Sequence, residues 1–233
     1  MAQGVLLLAL DATVGLTTAG WAAGVAYALG LWMTLTAGLQ VAGMSALGPA
    51  NRVTLARASL VAGVTALAVT SIDRHVPTTV LVALVGTALA LDGVDGQVAR
   101  RTGSTSVLGA RFDMEVDAFL ILVLSVFVGG MFGWWTVAIG AFRYVFMAAA
   151  RAVPWLAVPL PPRFSRKVVA AVQGIVLVVA TAQVLPAALA YVAVLAALVS
   201  LTWSFGRDIA WLWHVEQARR VPALPVVRQP VPA

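Results

Sequence analysis

Apolar residues run along this chain in long blocks, and the polar positions fall in short clusters between them. About 20 apolar residues suffice to cross a bilayer as a helix, which pairs every backbone N–H and C=O within the segment. The first block, Val5 to Leu47, is interrupted by Asp11 and by the stretch Gly15–Gly20. It predicts either two short spans, roughly 4–19 and 21–44, or one span preceded by a segment lying along the interface. Pro49 breaks the pattern, and the blocks that follow predict spans at about 52–71, 78–99, 109–132, 134–150, 168–184 and 186–205. Arg207 and Asp208 then open an amphipathic end rich in tryptophan (Trp203, Trp211, Trp213), the composition of an interfacial anchor. The proline-rich tail after Arg220 is expected to be disordered.

The pattern therefore predicts an all-α polytopic transmembrane helical bundle, with six core spans and one or two N-terminal apolar helices. Its expected divisions are an N-terminal extension at 1–48, a transmembrane core at 49–206, and an interfacial helix with a basic tail at 207–233.

Composition agrees. The chain is 61% apolar and 10% charged, against about 45–50% and about 25% in soluble domains. It contains no cysteine, which excludes disulfides, thiolate metal sites and cysteine nucleophiles. His75 and His214 lie near span ends and far apart in sequence, which argues against a histidine metal site. The net charge of +6 resides in short loops between spans, so it reads as topology and attraction to anionic lipid, without a nucleic-acid partner. If the loops at 49–57, 96–111 and 151–167 and the tail share one side, nearly every cation is there and Arg74 is alone opposite. The positive-inside rule makes that side cytoplasmic, in a multi-pass protein of the cell membrane. Gly4 to Leu10 is apolar, but no basic residue precedes it and Asp11 follows at once, so it does not read as a secretory signal.

The scarce acids are concentrated. Asp92 and Asp95 are three residues apart, and Asp113 and Asp117 four apart. On helices both spacings stack side chains on one face. Gly96, Gly103 and Gly109, with Arg100 and Arg101, occupy the turn between the pairs. Helix caps and surface acids would account for two of these aspartates; four in register point to a bound divalent cation that offsets their repulsion. Oxygen ligands without His or Cys suit magnesium or manganese, and also calcium. Glu115 lies about 200° round the helix from Asp113 and should point away from them.

Written with gaps, the stretch is D-x2-D-G-x2-A-R-x8-G-x3-D-x3-D, filled by Asp92, Asp95, Gly96, Ala99, Arg100, Gly109, Asp113 and Asp117. It resembles the signature of the CDP-alcohol phosphotransferases, membrane enzymes of phospholipid head-group synthesis, at all eight fixed positions without an insertion. The resemblance implies transfer of a phosphatidyl or related group from a CDP-alcohol, such as CDP-diacylglycerol, to an alcohol, with release of CMP. It implies magnesium (or manganese) held by Asp92, Asp95, Asp113 and Asp117, with Asp117 also the general base. It implies that Asn51, Thr54, Gly96, Ala99, Arg100, Ser106 and Gly109 contact the CDP moiety. By themselves Asn51, Thr54 and Arg57 read as an N-cap and snorkelling arginines; an N-x2-T-x2-R element also precedes the signature in many family members, and the resemblance implies that it lines the nucleotide pocket.

Two other classes share parts of this pattern. A magnesium-dependent prenyl-diphosphate transferase needs a second acidic motif, and beyond Asp117 the acids are Asp208 and Glu216 alone. A cation-binding membrane transporter does not need Gly-x2-Ala-Arg beside its acids. Among acceptors, the cations Arg111, Arg143, Arg151, Arg166 and Lys167 favour an anionic alcohol such as glycerol 3-phosphate or an inositol phosphate. Arg143 stands out, because an arginine inside an apolar span needs a partner. The equal alternative is that the loop cations set topology while Arg143 pairs with a motif aspartate or a carbonyl. The expected partners are thus a CDP-lipid donor, a small alcohol or polyol-phosphate acceptor and the bilayer, and a homodimer is compatible with this reading.

Overall fold

The structure, a computed structural model, describes residues 2–41, 43, 49–102, 107–161 and 163–220, with the side chains of 49–51, 95–102, 107 and 220 left undescribed. The proline-rich tail therefore lies outside the described residues. Among those described there are eight α-helices and no strand: α1 (Ala2–Val14), α2 (Thr18–Val41), α3 (Pro49–Asp73), α4 (Thr78–Thr102), α5 (Val107–Phe132), α6 (Val137–Ala152), α7 (Phe164–Ala182) and α8 (Ala187–Arg220). Helices α2, α3, α5, α7 and α8 are long and apolar enough to cross a membrane, and the chain is a multi-pass helical membrane protein.

The N-terminal block resolves into two helices. α1, with 13 residues, is short for a span, whereas α2 has 24. The break falls where the sequence supplies its own caps. Gly15 takes φ +75°, a left-handed conformation open to glycine, and ends α1. Asp11 accepts the Leu16 N–H at 2.9 Å through its carboxylate, so this acid serves the backbone. Thr17 caps α2 by accepting the Gly20 N–H at 3.1 Å. Arg74, just past α3, donates to the Gly15 carbonyl at 2.9 Å and ties the hairpin down.

Helix α3 is the central post, packed against α1, α2, α4 and α5. Its middle (Ala58, Val61, Ala62, Val64, Ala66, Leu67, Ala68) is buried throughout, and the alanines among these let neighbouring backbones come close. In a bilayer the hydrophobic effect does not drive helices together, so small residues and interhelical hydrogen bonds carry the association. Gln173 on α7 donates to the Ala197 carbonyl of α8 at 3.0 Å. Thr136 donates to the Ser125 carbonyl of α5 at 2.8 Å. Helix α8 runs unbroken through residues 206–207, so the amphipathic end continues the last span.

Gly140 on α6 marks the tightest approach to α5: a β-carbon there would lie 2.3 Å from the Leu122 Cα. Gly140→Val is expected to separate α6 from α5 and lower the thermal midpoint in detergent by several degrees or prevent folding. Gly174→Val, where a β-carbon meets nothing within 4 Å, should melt like the native protein. Equal melting of the two variants would contradict this packing.

Candidate active site

Three helices end their polar business at one place. α4 delivers Asp92 from its second half, α5 delivers Asp113 and Asp117 from its first half, and α3 delivers Arg57. One carboxylate oxygen from each of Asp92, Asp113 and Asp117 lies within 4.8 Å of the others. The Arg57 guanidinium reaches among them. Its Nη1 donates to Asp92 Oδ1, and its Nη2 donates to Asp113 Oδ1. The same Nη2 lies 3.1 Å from Asp117 Oδ1 and 3.3 Å from the Asp113 carbonyl.

Burial makes this arrangement asymmetric. The Arg57 side chain is 1% exposed, whereas those of Asp92, Asp113 and Asp117 are 43%, 38% and 45% exposed. Among the described residues, one positive charge is thus sunk into the bundle beneath three negative ones. The surplus negative charge faces the open side, where a divalent cation is attracted and a lone carboxylate would be costly. The donor set fits a hard cation: it is all carboxylate oxygen, and its spread approaches the separation of about 4 Å between opposite ligands of magnesium.

Glu115 sits elsewhere. It accepts from Nη2 of Arg143 on α6, and Arg143 Nη1 contacts the Met114 sulfur at 3.2 Å. The intramembrane arginine that the sequence singles out therefore has a carboxylate partner that is not one of the motif aspartates. Arg143 stands 31% exposed beside it.

The remaining candidates divide by position. Thr54 is buried one turn before Arg57, and Gly109 is partly buried at the start of α5. Gly96 is on α4 with the backbones of Asp95, Ala99 and Arg100, and Asn51 is on α3; beyond that backbone all five lie outside the described residues, as does Ser106 altogether. Arg111, Arg151 and Lys167 are exposed. Arg166 is half-buried, its Nε 3.5 Å from the buried Asp208 of α8. Arg207 donates to the Ser165 hydroxyl at 3.1 Å and approaches Asp208 to 3.9 Å. Arg166 Nε and Nη2, Arg207 Nε and Asp208 Oδ1 are buried without a hydrogen-bond partner among the described residues.

Sequence reasoning set Arg57 beside the nucleotide and not among the acids, and it overlooked the weight of the Arg207–Asp208 pair. The signal for Arg57 was present: an arginine inside an apolar span needs a partner, the same argument that drew attention to Arg143. Asp208 carried a weaker one, as an acid next to an arginine at the edge of a span.

The family model described as CDP-alcohol phosphatidyltransferase matches residues 47–203, about two thirds of the chain. The matched segment begins just before α3, so it holds every side chain of the carboxylate cluster and leaves out the α1–α2 hairpin. No curated protein and no solved structure gives a match.

Removing Arg57 should leave three carboxylates facing one another without the cation that now links them among the described residues. Breaking a buried charge pair typically costs about 3–5 kcal/mol. Arg57→Gln is expected to lower the thermal midpoint by several degrees, and millimolar magnesium should recover more of that loss than it adds to the native protein. A variant that melts normally, or one that magnesium leaves unmoved, would contradict a shared cation site.

Proposed function

The chain belongs to the CDP-alcohol phosphatidyltransferase family, and from that premise we propose that it transfers the phosphatidyl group of CDP-diacylglycerol to a phosphorylated polyol at the Asp92–Asp113–Asp117 cluster. The family moves a phosphatidyl group from a CDP-alcohol to an alcohol within a membrane, which makes the chain a transferase. The observation that carries the reading is the convergence of three signature aspartates on one cation-sized space above a buried arginine. The family match leaves the prenyl-transferase and transporter alternatives without support.

Asp92, Asp113 and Asp117, with Asp95 from the same signature, would hold the divalent cation. Magnesium, when bound, supplies positive charge that neutralises the diphosphate and favours departure of CMP. The protein supplies the rest. Arg57 fixes Asp92 and Asp113 by charge-assisted hydrogen bonds. Thr54, Gly96, Ala99, Arg100, Ser106, Gly109 and Asn51 form the cytidine and phosphate contacts. Asp117, which Arg57 touches at longer range than its neighbours, takes the proton of the acceptor hydroxyl. The acceptor oxygen forms a bond to the phosphorus next to the diacylglycerol, the bond from that phosphorus to the oxygen of the cytidine-side phosphate breaks, and CMP leaves with the electron pair. We place this face of the protein in the cytoplasm on the asymmetry of its lysines and arginines.

The acceptor reading narrows to fewer cations than the sequence offers. Arg143 is engaged by Glu115, and Arg111, Arg151 and Lys167 lie on the surface. Arg166 and Arg207 remain, two cations beside the buried Asp208, with Arg166 Nη2 and Arg207 Nε buried and without a hydrogen-bond partner among the described residues. Donors in that state favour a phosphate group.

Purified protein in mixed micelles with magnesium should release CMP from CDP-diacylglycerol only when an acceptor is added, and best with glycerol 3-phosphate or an inositol phosphate. Asp92→Asn and Asp113→Asn should abolish release. Arg166→Gln should raise the acceptor KM about tenfold or more and leave the CDP-lipid KM nearly unchanged. If unphosphorylated inositol or serine served as well as any phosphorylated polyol, the acceptor reading would fall.

A further inference from the structure

The α1–α2 hairpin precedes the family segment, yet it lies against the active-site helices. Two contacts fix how α2 passes α5. A β-carbon at Gly38 would lie 2.6 Å from Leu108, and the Tyr27 ring stacks on Phe119 with centroids 4.6 Å apart. Gly38 and Tyr27 are eleven residues apart on α2, as are Leu108 and Phe119 on α5, so the two helices run antiparallel in one register. α2 therefore flanks α5 across the level of Asp113 and Asp117. The contact with α3 agrees, since Gly24 sits against Ala66.

That register sets the depth of Tyr27. Phe119 lies two residues beyond Asp117 and six beyond Asp113, toward the middle of the span, so Tyr27 is on the membrane-interior side of these residues, about 3 Å past the level of Asp117 and about 9 Å past that of Asp113. Its hydroxyl is buried and has no hydrogen-bond partner among the described residues. It lies within electrostatic reach of Arg57 and of Tyr144 on α6. A buried hydroxyl without a partner in an apolar setting carries the cost of its lost hydration, which a ligand accepting its hydrogen removes.

A CDP-lipid reacting at the carboxylates must point its diphosphate at the cation site and its acyl chains into the membrane. The first acceptors on the membrane side of the phosphorus are the glycerol ester groups. We propose that Tyr27 donates a hydrogen bond to an ester carbonyl of the donor lipid, so that the N-terminal hairpin selects ester-linked over ether-linked CDP-lipids. The inference rests on the CDP-lipid reading above and adds the linkage class of the donor. It gives α1–α2 a part in recognition that the family segment does not contain.

Equilibrium binding tests it without turnover. Ester-linked CDP-diacylglycerol and its ether-linked dialkyl analogue with equal chains are titrated into the full chain in detergent, with magnesium and no acceptor. The native protein should bind the ester form about five- to tenfold more tightly, the worth of one hydrogen bond. Tyr27→Phe keeps the ring on Phe119 and should bind both lipids with the affinity the native protein shows for the ether form. Because the ratio is taken within each protein, partial misfolding does not imitate it. Equal affinity of the native protein for both lipids, or a preference that survives in Tyr27→Phe, would overturn the inference. CMP release in parallel keeps the two claims apart: ester selectivity that depends on Tyr27, without transfer to any acceptor, would retain the inference and reject the proposed reaction.

Discussion

One guanidinium holds the active end of this molecule together. Arg57 is buried to 1% exposure in the central helix and touches Asp92 of α4 and Asp113 and Asp117 of α5. Three helices are thereby pinned at one point by a charge that could not remain there alone. The same contact gathers one carboxylate oxygen from each of the three acids within 4.8 Å of the others, a donor set that could hold a divalent cation.

The acids of α5 are divided by helix geometry. Asp113 and Asp117, four residues apart, turn to Arg57, while Glu115 between them pairs with Arg143 of α6. Arg57 and Arg143 thus have separate carboxylate partners, and crossing the two sets would leave charge unpaired in the bilayer. Below this level the bundle relies on close approach and shared backbone acceptors, at Gly140 against Leu122 and at Gln173 against Ala197. The N-terminal hairpin follows the same economy, with Gly20 and Gly24 letting α2 lie on α3.

Much of this was legible in the residues. Apolar blocks bounded by Pro49, Asp73–Pro77 and the prolines after Val153 mark the helices, because a bilayer leaves the backbone few alternatives. The spacings of Asp92 with Asp95 and of Asp113 with Asp117 announce one face on each of two helices, and a cation shared by the two pairs accounts for their expected meeting. Other features were hidden because they depend on which helices become neighbours. Arg57 reads equally as a snorkelling residue until α4 and α5 are placed beside it. The partner of Arg143 could not be named, since Glu115 meets it only through the packing of α6 on α5. The interruption at residues 15–17 was visible as a glycine-rich weakness, but the capping by Asp11 and Thr17 that sets its limits comes from local hydrogen bonds. Asp208 and Arg207 looked like an interfacial end because their exposure depends on how α7 lies along α8.

The central claim is that Asp92, Asp113 and Asp117 form one cation site while Glu115 belongs to Arg143. Manganese, a spin-active substitute for magnesium, reports on this directly through the electron paramagnetic resonance signal of the free ion, which diminishes as the ion binds. Titration of the full chain should reveal a bound ion that Asp92→Asn or Asp113→Asn each weakens by at least tenfold, with Glu115→Gln close to the native protein. Unchanged binding in both aspartate variants, or a loss confined to Glu115→Gln, would contradict the site.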